Sequence, residues 1–333
     1  MLRKPYLAFL GDAPSSVTAK TALGVRQWCP DDIVGQWSLP GCGIDLDLPE
    51  MTPGQARADG AASLLIGVAP RGGKLPESWR AHLVTAVEAG LDIVSGLHDR
   101  LSDIPELAEA AARTGRALHD VRHNDRSFAI ASGRKRAGKR LLTVGTDCAL
   151  GKKYTALAIA QAMQKRAMLA DFRATGQTGI IIAGEGIAMD TVGADFLSGA
   201  AEALTPDAAD DHWDIIEGQG SLFHPAYAPV TLGLVHGSQP DAIILCHDPA
   251  RAAVTGFPDY PLPSLAEAAK AYVCAARLTN PAARIVAVSL NTLELSDEAA
   301  RQAASDAETE LGVPCFDPLR FGIDAAIDAI AAL

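Results

Sequence analysis

Apolar residues fall into short runs separated by longer stretches with helical spacing. In the first part, 6–10, 33–37, 63–68, 92–96 and 117–121 have the length and content of buried strands. Between them, 76–89 and 104–114 carry apolar positions at three- and four-residue intervals, which predicts helices. The same alternation resumes further on. Strands are predicted at 141–144, 179–182, 213–216, 242–246, 284–290 and 313–316, and helices at 154–166, 195–203, 264–278 and 296–311. Strands that alternate with helices predict mainly parallel sheets covered on both faces, with ligands at the carboxyl ends of the strands. A polar, basic stretch at 132–139 interrupts the pattern and suits a linker, so two domains are expected, 1–135 and 136–333. Neither an internal repeat nor a low-complexity segment is present.

The second part opens on the most informative segment. The predicted strand 141–144 enters a loop at Gly145, which leaves through Gly151-Lys152 into an alanine-rich helix. Strand, glycine-containing loop with a lysine, then helix is the layout that holds phosphates. Loop N–H groups point inward, the helix dipole adds partial positive charge, and Lys152 supplies a full one. Gly145, Thr146, Cys148, Ala149, Leu150, Gly151, Lys152 and Lys153 are therefore candidate phosphate-binding residues. The loop departs from the usual one, in which four residues lie between the glycines and Ser or Thr follows the lysine. Here five residues separate Gly145 from Gly151, and Lys153 follows Lys152. The hydroxyl that would hold Mg²⁺ is missing, which argues for gripping phosphates rather than hydrolysing them. Asp147, inside the loop, would repel a phosphate if it faced inward. It is expected to meet a metal, an amine or an N–H, and is a candidate base. Cys148 among small residues reads as a packed thiol before a nucleophile.

Two further clusters stand out. Asp171-Phe-Arg-Ala-Thr-Gly-Gln-Thr-Gly179 reads as a turn in which Arg173 could pair with a carboxylate and Thr175 and Gln177 could hydrogen-bond beside it. Trp213-Asp-Ile-Ile-Glu-Gly-Gln-Gly-Ser221 is a strand that ends in an acid and opens into Gly218, Gln219 and Gly220. That puts Glu217 on the edge where the phosphate loop lies, as a candidate general base or Mg²⁺ ligand. His224 comes soon after and could share the site. Asp190, Asp195, Asn291 and the strand-ending Cys246-His247-Asp248-Pro249 are weaker candidates. Gly11-Asp12 and His98-Asp99 end strands in the first domain, which shows no dinucleotide fingerprint.

Composition narrows the function classes. The chain has 333 residues, 48% of them hydrophobic, and a net charge of −11, which argues against nucleic acid or an anionic membrane as the main partner. Residues 1–138 hold 16 basic and 16 acidic residues, and 139–333 hold 13 and 24. An anion site in the acidic part must therefore be made by local geometry. The six cysteines form no CxxC pair and no metal-ligand spacing, so reduced thiols in the cytoplasm are expected. No secretory leader is evident, and no apolar run approaches the roughly 20 residues of a membrane span.

The loop Gly145-Thr-Asp-Cys-Ala-Leu-Gly-Lys152 is similar to that of dethiobiotin synthetase-type P-loop enzymes, and Glu217-Gly-Gln-Gly220 resembles their post-strand acidic segment. Over most of its length the chain resembles another family more closely. Gly145–Lys152, Arg173-Ala-Thr-Gly-Gln-Thr-Gly179, Gly193-Ala-Asp-Phe196 and Glu217-Gly-Gln-Gly-Ser221 occur in the order seen in DgcN-type D-glutamate (D-amino acid) N-acetyltransferases. The resemblance implies an α/β fold with an N-terminal Rossmann-like domain and a C-terminal P-loop-type, doubly wound domain. It implies acetyl-CoA as donor and D-glutamate or another D-amino acid as acceptor; acetyl transfer needs no metal to assist the departure of a phosphoryl group, so no metal is expected, and a homo-oligomer is expected. It supplies no catalytic assignment. With that chemistry, the loop would hold coenzyme A phosphates, and Arg173, Thr175, Gln177, Gly218 and Gln219 would bind the acceptor. Glu217 or Asp147 would take the amine proton, and Thr146 would stabilise the oxyanion. An ATP- and Mg²⁺-dependent ligase or kinase, or a nucleotide-responsive binding protein, are the alternatives.

Overall fold

The computed structural model describes residues 2–15, 18–124 and 127–333, apart from the side chain of Arg71. The chain runs β1 (Tyr6–Gly11), α1 (Lys20–Trp28), β2 (Ile33–Ser38), α2 (Pro53–Ala58), β3 (Ser63–Ile66), α3 (Arg80–Glu88), β4 (Asp92–Ser95), α4 (Pro105–Thr114) and β5 (Leu118–Asp120). It continues through β6 (Lys139–Gly145), α5 (Lys152–Lys165), β7 (Ala170–Arg173), α6 (Gln177–Ala183), α7 (Leu197–Leu204), β8 (Trp213–Ile216), α8 (Ala228–Ser238) and β9 (Ala242–His247). A hairpin of β10 (Ala253–Val254) and β11 (Phe257–Pro261) precedes α9 (Leu265–Arg277), β12 (Arg284–Leu290), α10 (Asp297–Leu311), β13 (Cys315–Phe316) and α11 (Asp324–Ala331).

Two compact units result: Met1–Asp125 with Gly176–Thr191, and Arg126–Thr175 with Val192–Leu333. The first is built on a parallel sheet of order β2-β1-β3-β4-β5, the second on a parallel sheet of order β13-β12-β9-β6-β8-β7. Both are α/β, as the alternation of elements predicts. No helix among the described residues is long and apolar enough to cross a membrane.

The units do not follow one cut in the chain. The basic stretch 132–139, read as a linker, groups with the second unit because its side chains are anchored there. Arg136 is buried and donates from Nε to Thr205 O at 2.6 Å, just past α7, and from Nη2 to Gly237 O at 2.7 Å in the last turn of α8. One guanidinium thus satisfies the open carbonyls of two helix C-termini. Burial, with Arg140 nearby, brings its pKa down to about 10.

The expected strand at 179–182 is helix α6. Its three consecutive isoleucines favour strands intrinsically, but Ile180, Ile181 and Ile182 are all buried in the first unit, and packing overrides propensity. Gly184, with φ +83°, closes the helix through its N–H to Ile180 O. Tyr6 Oη and Lys4 Nζ donate to Ile181 O and Ile182 O, carbonyls of the last turn, at 3.4 and 2.8 Å. The strand in this region is β7, an edge strand with polar positions, so Arg173 lies at a strand end and not within a turn.

In the second unit, β6 is central and almost wholly buried, flanked by β9 and β8. Leu141, Ile159, Met163, Trp213, Ile215, Ile244, Phe316 and Ile327 fill the core beneath α5 and α11. Strand ends are thereby fixed side by side. Gly145, Ile216 and His247 end neighbouring parallel strands, so the loops after β6, β8 and β9 emerge along one edge of the sheet.

Candidate active site at the carboxyl edge of the second sheet

The loop after β6 is held from several directions. Gly145 O accepts from Tyr272 Oη at 2.7 Å and from Ser221 Oγ at 2.8 Å, and Thr146 N–H donates to Cys246 O. Thr155 Oγ1, in the first turn of α5, lies 2.7 Å from Ser289 Oγ on β12. The N–H groups of Ala149, Leu150 and Gly151 have no acceptor among the described residues. Three consecutive free donors at a helix N-terminus are what an anion needs. Lys152 is buried beside them, its Nζ donating to Asp147 O at 2.7 Å, and burial pushes its pKa down. Lys153 Nζ sits 4.9 Å from the Tyr154 ring centroid.

Asp147 turns away from the anion site. Its carboxylate accepts from Cys148 N–H, Arg251 Nη1, and the N–H and hydroxyl of Thr255. Burial alone would raise its pKa, but the bonds from Thr255, Arg251 and Cys148 outweigh that and hold the carboxyl below its ordinary value. A carboxylate so well stabilised has little affinity for another proton, which weakens it as a base. It pins the loop to the segment after β9. Cys148 is half-buried, and burial pushes its thiol up despite nearby Lys152, so it is not a thiolate at neutral pH.

Glu217, expected at the strand edge, is there and 4% exposed. Its Oε2 accepts from Thr175 N–H at 2.9 Å, and its carbonyl from Thr175 Oγ1 at 2.6 Å. Gln219 Nε2 donates to Thr175 Oγ1 at 3.1 Å. Gly218 lies against β6: its N–H donates to Thr143 Oγ1, and a Cβ there would come within 1.7 Å of Thr143 O and 3.1 Å of Lys152 Cδ. Only glycine lets the chain just after Glu217 lie this close to β6 and to the Lys152 stem.

Other expected partners are already engaged. Arg173 donates from Nε to buried Asp214 at 2.6 Å and approaches Asp171 at 3.4 Å. Its charge is already met by protein carboxylates. Gln177 belongs to the first unit, where it packs over Gly96 and reaches Asp190 at 3.5 Å, whereas Arg173 and Thr175 belong to the second. Asp190 pairs with Arg122 at 2.6 Å.

On the other side of the loop from Glu217, His247 ends β9. Its Nδ1 lies 2.9 Å from Thr146 Oγ1, and its carbonyl accepts from Asn291 N–H. Asp147, Cys148 and His224 have potential metal-ligand atoms within 4.8 Å of one another. Against a cation there, Asp147 is neutralised by Arg251, and His224 Nδ1 accepts from Ala226 N–H while its ring stacks on Tyr227. Sequence reading missed Arg251, Thr255 and Tyr272 as loop anchors. Arg251 comes just after the strand-ending 246–249 segment and was within reach of that signal. Tyr272, in the middle of a helix, gives none.

The chain is 53% identical over its full length, and all of the relative's, to a protein of Tritonibacter scottomollicae named D-glutamate N-acetyltransferase. It is 45% identical, over 98% of each chain, to a protein of the same name from a Pseudoalteromonas species. A solved structure of a DUF1611 family protein from Anabaena variabilis ATCC 29413 superposes with a TM-score of 0.88 at 33% identity, covering 99% of this chain and 100% of that one. Residues 128–327 match the model described as a domain of unknown function, DUF1611_C, P-loop domain, and 34–124 match DUF1611_N, a Rossmann-like domain. With both models matched in order and relatives aligned end to end, the chain belongs to the DUF1611 family.

Proposed function

We infer that this protein is an N-acetyltransferase that moves an acetyl group from acetyl-CoA to the amine of D-glutamate or a related D-amino acid. The observation that carries the reading is the full-length similarity to two relatives named for that activity. The loop geometry fits it. Coenzyme A carries a diphosphate and a further phosphate, and the free N–H groups of Ala149, Leu150 and Gly151 with Lys152 can grip such groups. No phosphoryl group leaves, so Lys153 in place of a Mg²⁺-binding hydroxyl costs the reaction nothing, and we propose that it runs without metal. Acetyl-CoA and free cysteines suit a cytoplasmic setting.

At the sheet edge, Glu217 is the carboxylate we place against the acceptor's ammonium group, held in position by Thr175, to which Gln219 donates in turn. The Thr146 hydroxyl and loop N–H groups are the donors for the oxyanion of the tetrahedral intermediate. Transfer is direct from thioester to amine, because the Cys148 thiol, with its raised pKa, is a poor nucleophile. Asp147 keeps a structural role.

The test is release of free thiol from acetyl-CoA on adding D-glutamate, with a chelator present. Release, with N-acetylglutamate as product, is the expected result. Absence of release with every D-amino acid tried, alongside Mg²⁺-dependent ATP turnover, overturns the reading in favour of a ligase or kinase.

A further inference from the structure

We propose that His247 is the general base of the acetyl transfer, with Thr146 as the partner that orients its ring; this rests on the acetyltransferase reading above. The two residues lie 101 positions apart, and the sheet brings them together because β9 is paired with β6. Thr146 Oγ1 occupies Nδ1 at 2.9 Å. Nε2, the other ring nitrogen, has no hydrogen-bond partner among the described residues and is not sealed from solvent. If Nδ1–H donates to Thr146 Oγ1, Nε2 is left as a lone-pair base at the strand edge, and the threonine's own hydrogen is free for the oxyanion. One hydrogen bond thus serves both ends of the reaction.

His247 also sits where an acceptor would be. The order β9-β6-β8 sets it and Glu217 on opposite sides of the phosphate loop, two strand spacings or about 10 Å apart at the backbone. An amine drawn to Glu217 and a thioester held by the loop would meet between them. The imidazole is suited to the task near neutral pH. Burial lowers its pKa, with Arg251 acting in the same direction and Asp248 and Glu310 opposing. It is therefore mostly neutral at pH 7, as a base must be.

In the reaction, Nε2 takes one proton from the substrate ammonium and passes it to solvent. The freed lone pair forms the C–N bond to the acetyl carbon, and the carbonyl becomes an oxyanion beside Thr146. As the intermediate collapses, the C–S bond breaks, and the nitrogen's second proton moves by way of Nε2 to the coenzyme A sulfur. The products are the amide and the free thiol.

The experiment is a pH–rate profile of thiol release for the full chain and for His247→Asn. An asparagine amide can stand in for Nδ1–H toward Thr146 but offers no base. The wild type is expected to lose kcat as pH falls through the histidine's pKa, with a midpoint below the ordinary value of about 6.5. His247→Asn should lower kcat by about 10²–10⁴-fold, leave KM for acetyl-CoA within about threefold, and abolish that acid limb. Added imidazole should restore part of the rate to His247→Ala. A His247→Asn enzyme that keeps wild-type kcat and the same limb overturns the proposal. Should the His247 variants not fold, Thr146→Val decides: loss of the Nδ1 partner must move the acid limb, and an unmoved limb removes the pair from the mechanism. An inactive wild type is a distinct outcome that sinks the acetyltransferase reading and this proposal with it.

Discussion

At the scale of single residues, two lysine and arginine side chains that look alike in sequence have opposite roles in the structure. Among the described residues, Lys152 lies beside N–H groups without acceptors, and its Nζ has only a loop carbonyl to bind. Arg173 is spent on Asp214, a buried carboxylate 41 residues away. Lys152→Ala should therefore weaken coenzyme A binding by about tenfold to a hundredfold and leave the unfolding midpoint near wild type. Arg173→Ala should do the reverse. It leaves Asp214 short of its strongest partner, at a cost of about 3 kcal/mol, with no selective rise in KM for D-glutamate over an uncharged D-amino acid. Calorimetry with coenzyme A and thermal unfolding of the two variants check this; a selective KM effect in Arg173→Ala would return that residue to the substrate. Lys152 and Glu217 were legible because loop spacing and strand ends are local signals. The partners of Arg173, Asp147 and Thr146 were not, because Asp214, Arg251 and His247 reach them through sheet order, which no local pattern encodes.

At the scale of elements, the hydrophobic pattern located the strands that form both sheet centres and several of the helices that cover them, but not α1, α2, α8 or α11. It failed where local preference and tertiary demand diverge. The isoleucines of α6 look like a strand and are helical because their burial and the donors from Tyr6 and Lys4 favour it. The polar edge strand β7 looks like a turn because only one side of it is paired. The stretch around Arg136 looks like a solvated linker because charge normally means exposure. Arg136 is instead a shared cap for α7 and α8, so Arg136→Ala should destabilise the protein by about 3 kcal/mol. Arg136→Lys should recover little, since one ammonium cannot reproduce a fork that reaches two helix ends. Urea unfolding of the two variants measures both effects, and a loss under about 0.5 kcal/mol in Arg136→Ala would show that water replaces the cap.

At the scale of the whole molecule, the sequence conveyed two α/β units and the family resemblance, and the acidic balance directed attention to small substrates. What it could not convey is that both units are discontinuous. Gly176–Thr191 lies between stretches of the second unit yet completes the first. A fragment of residues 1–125 should therefore lack cooperative thermal unfolding by circular dichroism, and a sharp transition in that fragment would show α6 to be dispensable. The same arrangement governs synthesis. Because the chain is made from its N-terminus, all five strands of the first sheet emerge before α6, whose carbonyls accept from Tyr6 and Lys4, so that unit is completed only once residue 191 has left the ribosome. By then β6, the phosphate loop and α5 have already emerged. Synthesis of the second unit is therefore under way before the first has all of its residues.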